Sequence, residues 1–213
     1  MSNVNTDPVI RLGELAMKFG EVNRITLHPD GITPESDTTH TVMLGLVACA
    51  FAQKYLPQLD VGLVAQYALV HDLVEVYAGD TPTLRLLTPA QKAEKETREG
   101  EALRRLSREF VYGFPWLVAT LHTYEASATP EARYVRTMDK VLPKITHMLN
   151  ACAGLHENGI TPEELDRRFR HQAADLAART AGDDFLPVFT LYDKLAGLVT
   201  RMYAVGYAHR GEV

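Results

Sequence analysis

Apolar residues recur at three- and four-residue spacing through most of the chain and hold an alternating pattern nowhere for long. From Asp7 or Pro8, the positions Ile10, Leu12, Leu15, Ala16, Met17 and Phe19 fit a helix that Gly20 ends. Residues Glu21 to Glu35 hold two prolines, one glycine and little periodicity, which predicts a loop. Thr33-Pro34-Glu35-Ser36 resembles a helix start, and Val42, Met43, Leu46, Val47, Ala50 and Phe51 carry helical spacing on towards Pro57. His40 therefore falls early in a long buried helix. A third helix is predicted from about Asp60 to Tyr77, where Leu63, Val64, Tyr67, Ala68, Val70 and Leu73 nearly fill the circumference and so point to a central position. His71 and Asp72 lie inside it.

Gly79-Asp80-Thr81-Pro82 breaks the pattern. Thr88-Pro89 then opens a strongly charged stretch whose Leu103, Leu106 and Phe110 suggest a surface helix with a solvated outer face. Further helices are predicted at about 115 to 126, 130 to 153, 162 to 180 and 184 to 206, with Pro130, Pro162 and Pro187 near their first turns. Neither an internal repeat, a Gly-rich phosphate loop nor a low-complexity linker is present in the sequence. The expected architecture is all-α, one domain over 1–213 with about seven or eight helices.

Composition narrows the class. A chain of 213 residues, 46% hydrophobic and 23% charged, can bury one substantial core. Its 22 basic and 27 acidic residues give a net charge of −5, so neither nucleic acid nor an anionic membrane would attract it as a whole, and a polyanionic substrate would need a metal or a few placed cations. Cys49 and Cys152 sit in apolar runs without zinc-knuckle spacing, and both are assigned to the core. The N-terminal segment has neither the basic start nor the apolar run of a secretory signal, and no apolar stretch reaches about 18 residues, so a cytoplasmic location is expected.

The candidate chemistry starts at His71-Asp72. Neighbouring helical residues point about 100° apart and can both reach an ion lying between them. The pair sits in the apolar segment YALVHDLVEVYAGD, where burying an imidazole and a carboxylate is unfavourable unless they are paired or bound to metal. Glu75, three and four residues on, faces the same side. Asp80 follows Gly79, whose freedom at the helix end permits a sharp reversal back over the site. Alone, His71 reads better as a hydrogen-bonded core histidine and an Asp near a helix end as a cap. Four ionisable groups within ten residues shift the balance towards a bound cation.

The segments NRITLHPDGITPESDTTHT, VHDLVEVYAGDTP and YEASATPEARYVRTMDKV resemble the three signature regions of the HD-domain 5'-deoxynucleotidases, spanning about Asn23 to Val141. The resemblance implies a helical HD domain with its motif core at about 23–141 and the C-terminal helices, 161–206, packed on it. It implies that His40, His71, Asp72 and Asp139 bind a divalent ion, of which cobalt, manganese, iron, zinc or magnesium are candidates. Glu75 and Asp80 match a pair of catalytic carboxylates, and Arg24 matches an arginine that faces the substrate phosphate. In some relatives the positions of Glu75, Asp80 and Thr81 are associated with a second ion, and Thr81 is also assigned to substrate binding. Bacterial members commonly carry a sugar-contacting tryptophan where this chain has Ile25. Glu125 fits the motif of a eukaryotic-like branch, with an orienting role. A homodimer is expected by resemblance.

The implied reaction is hydrolysis of a nucleoside 5'-monophosphate, with the ion binding a phosphate oxygen and acidifying a water. Arg24 would offset phosphate charge, and Glu75 or Asp80 would orient the water or protonate the leaving oxygen. The alternatives are a deoxynucleoside triphosphate triphosphohydrolase, which would release tripolyphosphate, and a non-catalytic nucleotide sensor. His122, His147, His156 and His171 read as scattered histidines outside the site, and the helix from 184 to 206 as either an internal element or a dimer seam.

Overall fold

The computed structural model of the protein describes residues 4–210. Helix α1, Asp7–Phe19, starts on Pro8 and buries Leu15 and Phe19, one turn apart. The segment expected as a loop instead forms a small antiparallel pair, β1 (Asn23–Leu27) with β2 (Pro34–Ser36), in register at Asn23↔Ser36 and Leu27↔Pro34 with an irregularity between. Five and three residues are too few for alternation to declare itself in the sequence. The connection closes by the His28 N–H donating to the Thr33 carbonyl (2.8 Å), with Gly31 at φ +69°.

Ser36 caps α2, Asp37–Tyr55, by accepting from the Thr39 N–H at 3.2 Å. The buried stripe of α2 is Asp37, His40, Thr41, Leu44, Ala48 and Ala52, whereas the apolar Val42 and Leu46 face outwards. Small alanines let α2 lie close to α3, Val61–Val70, which Asp60 caps. The helix predicted through Tyr77 stops at Val70. His71 to Val74 form a turn before the four-residue α4, Glu75–Ala78, and Gly79 at φ +72° reverses the chain.

Helix α5, Pro89–Phe110, opens with a Thr88/Gln91 capping box and buries Ala102, Leu106 and Phe110 beneath its charged outer face. Helix α6, Pro115–Glu125, leads to the central α7, Pro130–Leu149, which contacts α2, α3, α6, α9 and α10. The prediction of one helix through residue 153 fails because Asn150 turns out of α7 and donates its side-chain amide to the Leu27 carbonyl at 2.7 Å. Ala151 and Cys152 then take left-handed conformations (φ +50° and +61°) before the short α8, Ala153–Glu157. Helix α9, Pro162–Arg179, and α10, Leu186–Arg210, complete the layer over α7; Val188, Tyr192, Val199 and Tyr203 form the buried stripe of α10.

Among the described residues ten helices thus replace the expected seven or eight, the extra two being α4 and α8, and the all-α class holds apart from the β1–β2 pair. Cys152 is buried and Cys49 half-buried, and both are free thiols. No described helix is long and apolar enough to cross a membrane.

Candidate metal centre

Four side chains from three parts of the chain meet beside the middle of α7. One ligand atom each of His40, His71, Asp72 and Asp139 can be chosen so that all lie within 4.8 Å of one another. His40 comes from the first turn of α2, His71 and Asp72 from the turn that ends α3, and Asp139 from the middle of α7. His40 Nε2 is 2.9 Å from Asp139 Oδ1, and His71 Nε2 is 2.8 Å from Asp72 Oδ2 and 4.0 Å from Asp139 Oδ1.

The backbone explains why the neighbours converge. Between Val70 and Tyr77 the amides of Leu73, Glu75 and Val76 bond the carbonyls three residues back. In this tighter winding, residues three apart eclipse, so Glu75 stands over Asp72. His71 Nδ1 is held 2.8 Å from the Ala68 carbonyl, which directs Nε2 to the cluster. On α7, Pro143 lacks the N–H that would bond the Asp139 carbonyl one turn earlier.

Arg24 on β1 brings a guanidinium to the same place. Its Nη1 donates to Asp72 Oδ2 at 2.6 Å and to Asp37 Oδ1 at 2.9 Å, and lies 3.9 Å from Glu75 Oε2. Burial opposes the charge on Arg24, yet Asp72, Asp139, Glu75 and Asp37 together hold it protonated, above its ordinary value. Burial also opposes ionisation of Asp72 and Asp139; His71 and Arg24 outweigh it at Asp72, and Lys140, His40 and His71 at Asp139, so both are held below the usual carboxylate range. Glu75 goes the other way. Burial, then the charges of Asp72, Asp37 and Asp80, push it up to about 10, and burial raises Asp80 as well. His40 is raised to about 9: burial works against it, but the bonded carboxylate of Asp139 and the nearby one of Glu35 win.

The donor set fits a divalent ion. Two imidazoles and two carboxylates suit a first-row transition metal, and His71 Nε2, fully buried, makes no hydrogen bond among the described residues despite its 2.8 Å approach to Asp72. A buried nitrogen with no bonded partner, aimed at two carboxylates, fits an imidazole disposed to ligate a cation. Asp37, Asp72 and Glu75 form a second such group, with Arg24 Nη1 among them.

Of the other residues picked out in the sequence, Asp80 and Thr81 line a cavity of about 80 Å³ that runs from Asp139 along α7, and Arg24 and Ile25 line it too. Thr81 Oγ accepts from Arg98 at 2.9 Å. Glu125 stands outside the cluster: it pairs with Arg136 at 2.7 Å, Arg136 stacks on Tyr124, and the Tyr124 ring meets His71 edge-on. His147, read as unconnected with the site, is buried in the wall of the cavity. A roomier groove of about 310 Å³ between α9 and α10 holds none of the clustered residues, and the site is placed by its chemistry rather than by room.

Sequence reasoning missed Asp37, which anchors Arg24, and Glu35, whose carboxylate lies 3.5 Å from His40 Nδ1 and accepts from Thr26 Oγ at 2.5 Å. Both sit in the helix start just before His40, where acidic residues pass for capping groups. It also missed Lys140, whose ammonium is 2.7 Å from Asp139 Oδ2. Its position next to Asp139 was the available signal.

Residues 17–180 match the HD-domain family. Among curated proteins, a 5'-deoxynucleotidase of Vibrio vulnificus (strain YJ016) is 28% identical over 144 residues, 63% of this chain and 72% of that protein. A crystal structure of a predicted metal-dependent phosphohydrolase from Magnetospirillum magnetotacticum MS-1 superposes with a TM-score of 0.70 at 24% identity, covering 91% of this chain and 94% of the other. A conserved hypothetical protein from Pyrococcus furiosus has a TM-score of 0.57 at 22% identity, covering 90% of this chain and 99% of its own.

Proposed function

The chain belongs to the HD-domain family, and from that premise we propose that it is a metal-dependent phosphohydrolase acting on nucleoside 5'-monophosphates, with deoxynucleotides preferred. The carrying observation is the convergence of His40, His71, Asp72 and Asp139 beside an arginine. The nucleotide substrate is supported by the likeness to the Vibrio deoxynucleotidase. We read 1–213 as one domain, located in the cytoplasm.

His40, His71, Asp72 and Asp139 would hold the divalent ion, which when bound supplies a Lewis acid for the phosphoryl group and an acidified water. The rest falls to the protein. Arg24 presents a guanidinium whose fork matches phosphate oxygens, and Asp37 and Asp72 both hold it through Nη1. Glu75, kept protonated by burial and by its acidic neighbours, can give a proton to the leaving 5'-oxygen. Asp80, in the cavity wall, would orient the water, and Thr81, also in that wall, would contact the substrate. In a reading with a second ion, Glu75, Asp80 and Thr81 would hold that ion instead, and Glu75 would then be ionised rather than a proton donor.

Product analysis tests this reading: the purified protein with Mn²⁺, Co²⁺ or Mg²⁺ and deoxynucleoside mono- and triphosphates should yield nucleoside and orthophosphate from the monophosphates. Tripolyphosphate from the triphosphates would keep the site and change the substrate. Nucleotide binding without any product would make the protein a sensor. We also propose a homodimer, supported by the apolar Leu198, Met202 and Val205 left facing out on α10; light scattering on the eluting protein should give twice the chain mass.

A further inference from the structure

Between α4 and α5, residues 80–87 carry Asp80 and Thr81, yet among the described residues none of them enters a backbone–backbone hydrogen bond. A stretch without backbone bonds keeps one position only if side chains hold it. Three arginines do so. Towards the far end, Arg168 of α9 donates from Nε to the Thr83 carbonyl at 2.7 Å, and Arg85 donates to the Asn158 and Gly159 carbonyls at 3.0 and 3.2 Å. At the end that leaves α4, the grip is that of Arg98 on α5.

Arg98 Nη1 donates to the Ala78 carbonyl and Nη2 to Thr81 Oγ at 2.9 Å, while Nε is buried and has no hydrogen-bond partner among the described residues. The two acceptors bracket the reversal at Gly79, whose φ of +72° and missing side chain leave that joint loose by itself. Ala78 ends α4, so its carbonyl has no partner within the helix, and one planar guanidinium spans both oxygens. Asp80 and Thr81 line the cavity and Arg98 does not. A hydroxyl has one proton to give and two lone pairs to accept with. Arg98 occupies a lone pair of Thr81 Oγ, and no protein group among the described residues takes the hydroxyl proton. A cationic donor also polarises that O–H and makes it the stronger donor to a ligand in the cavity.

We propose that Arg98 is a positioning residue for the reaction: by gripping the chain on both sides of Gly79 it holds Asp80 in place and turns the Thr81 hydroxyl proton towards the substrate. The proposal deepens the phosphohydrolase reading and rests on it. Arg98 touches neither substrate nor metal and acts through Asp80 and Thr81.

The test is a double-mutant cycle on the metal-loaded protein with Arg98→Met, Thr81→Val and the two combined. It reads kcat and KM for a deoxynucleoside monophosphate and hydrogen exchange of the peptide spanning 79–84. Arg98→Met is expected to raise KM and lower kcat, together about 10- to 100-fold in kcat/KM, and to speed exchange across 79–84, with bound metal unchanged. Thr81→Val should raise KM alone. In the combined variant KM should stand no higher than in Thr81→Val, because the grip reaches the substrate through that hydroxyl. Arg98→Lys, whose ammonium is a point charge without the fork, should lose less than Arg98→Met and serves if that variant fails to fold. KM effects that multiply in the combined variant, or exchange and kinetics that neither Arg98 variant moves, overturn the assignment. Faster exchange in Arg98→Met with no phosphate turned over by the wild type would sustain the grip and bring down the phosphohydrolase reading instead.

Discussion

His40 and Asp139 lie 99 residues apart in the chain, and Nε2 of one is 2.9 Å from Oδ1 of the other. The contact joins the start of α2 to the middle of α7, and with His71 and Asp72 it closes a cluster on three separate segments. Asp139→Asn keeps the shape and removes a negative charge where a cation would sit. The variant should lose stoichiometric metal, measured by plasma mass spectrometry after dialysis, and all turnover; undiminished metal content would remove Asp139 from the ligand set.

Arg24 is held between Asp37 and Asp72. Arg24→Lys keeps the charge and loses the fork, so kcat/KM for the monophosphate should fall about 10- to 100-fold. Asp37→Asn should produce a smaller loss of the same kind while metal content stays whole. Steady-state kinetics on both variants checks this; a wild-type KM in Arg24→Lys would take the phosphate from Arg24.

Glu35 backs His40 from the side away from the cluster, 3.5 Å from Nδ1. Groups that orient a liganding imidazole typically contribute 10- to 100-fold in metal affinity. Glu35→Gln is therefore expected to weaken metal binding by about that factor, read by competition with a chromophoric chelator, with little change in helix content by circular dichroism.

Metal binding to the folded chain should also show in its stability. With free ion at about 100 times its Kd, linkage adds about 2.7 kcal/mol. Chelation of the purified protein should lower Tm by several degrees, and adding back Mn²⁺ or Co²⁺ should restore it. The Asp139→Asn variant should not respond. A wild-type Tm indifferent to chelator would argue against a resident ion.

His147 is buried in the cavity wall, and burial, then the charge of Lys144, push it down to about 4. The unfolded chain takes up its proton near pH 6.5, while the folded chain does so only near 4. Below pH 6.5 the unfolded state therefore binds more protons, and stability falls as pH drops towards 4, by at most roughly 3 kcal/mol from this group. Urea melts of wild type and His147→Gln between pH 7 and 4 should show a shallower acid limb in the variant; parallel limbs would refute the assignment.

Much of this protein could be read from its sequence, because helices declare themselves locally. Spacing placed α1, α2, α5, α6, α9 and α10, and the HD pair in an apolar segment marked the cluster, since buried polar groups need partners. Family resemblance, rather than spacing, supplied His40, Asp139 and Arg24. Tertiary structure decided the rest. The pairing of β1 with β2 depends on partners seven or more residues away, and that pairing is what carries Arg24 to Asp72. The break after Val70 serves the convergence of His71, Asp72 and Glu75, and helical propensity gives no notice of it. Asp37, Glu35 and Lys144 look like ordinary charged residues in the sequence, because burial, which gives them their meaning, is a property of packing and not of any one segment.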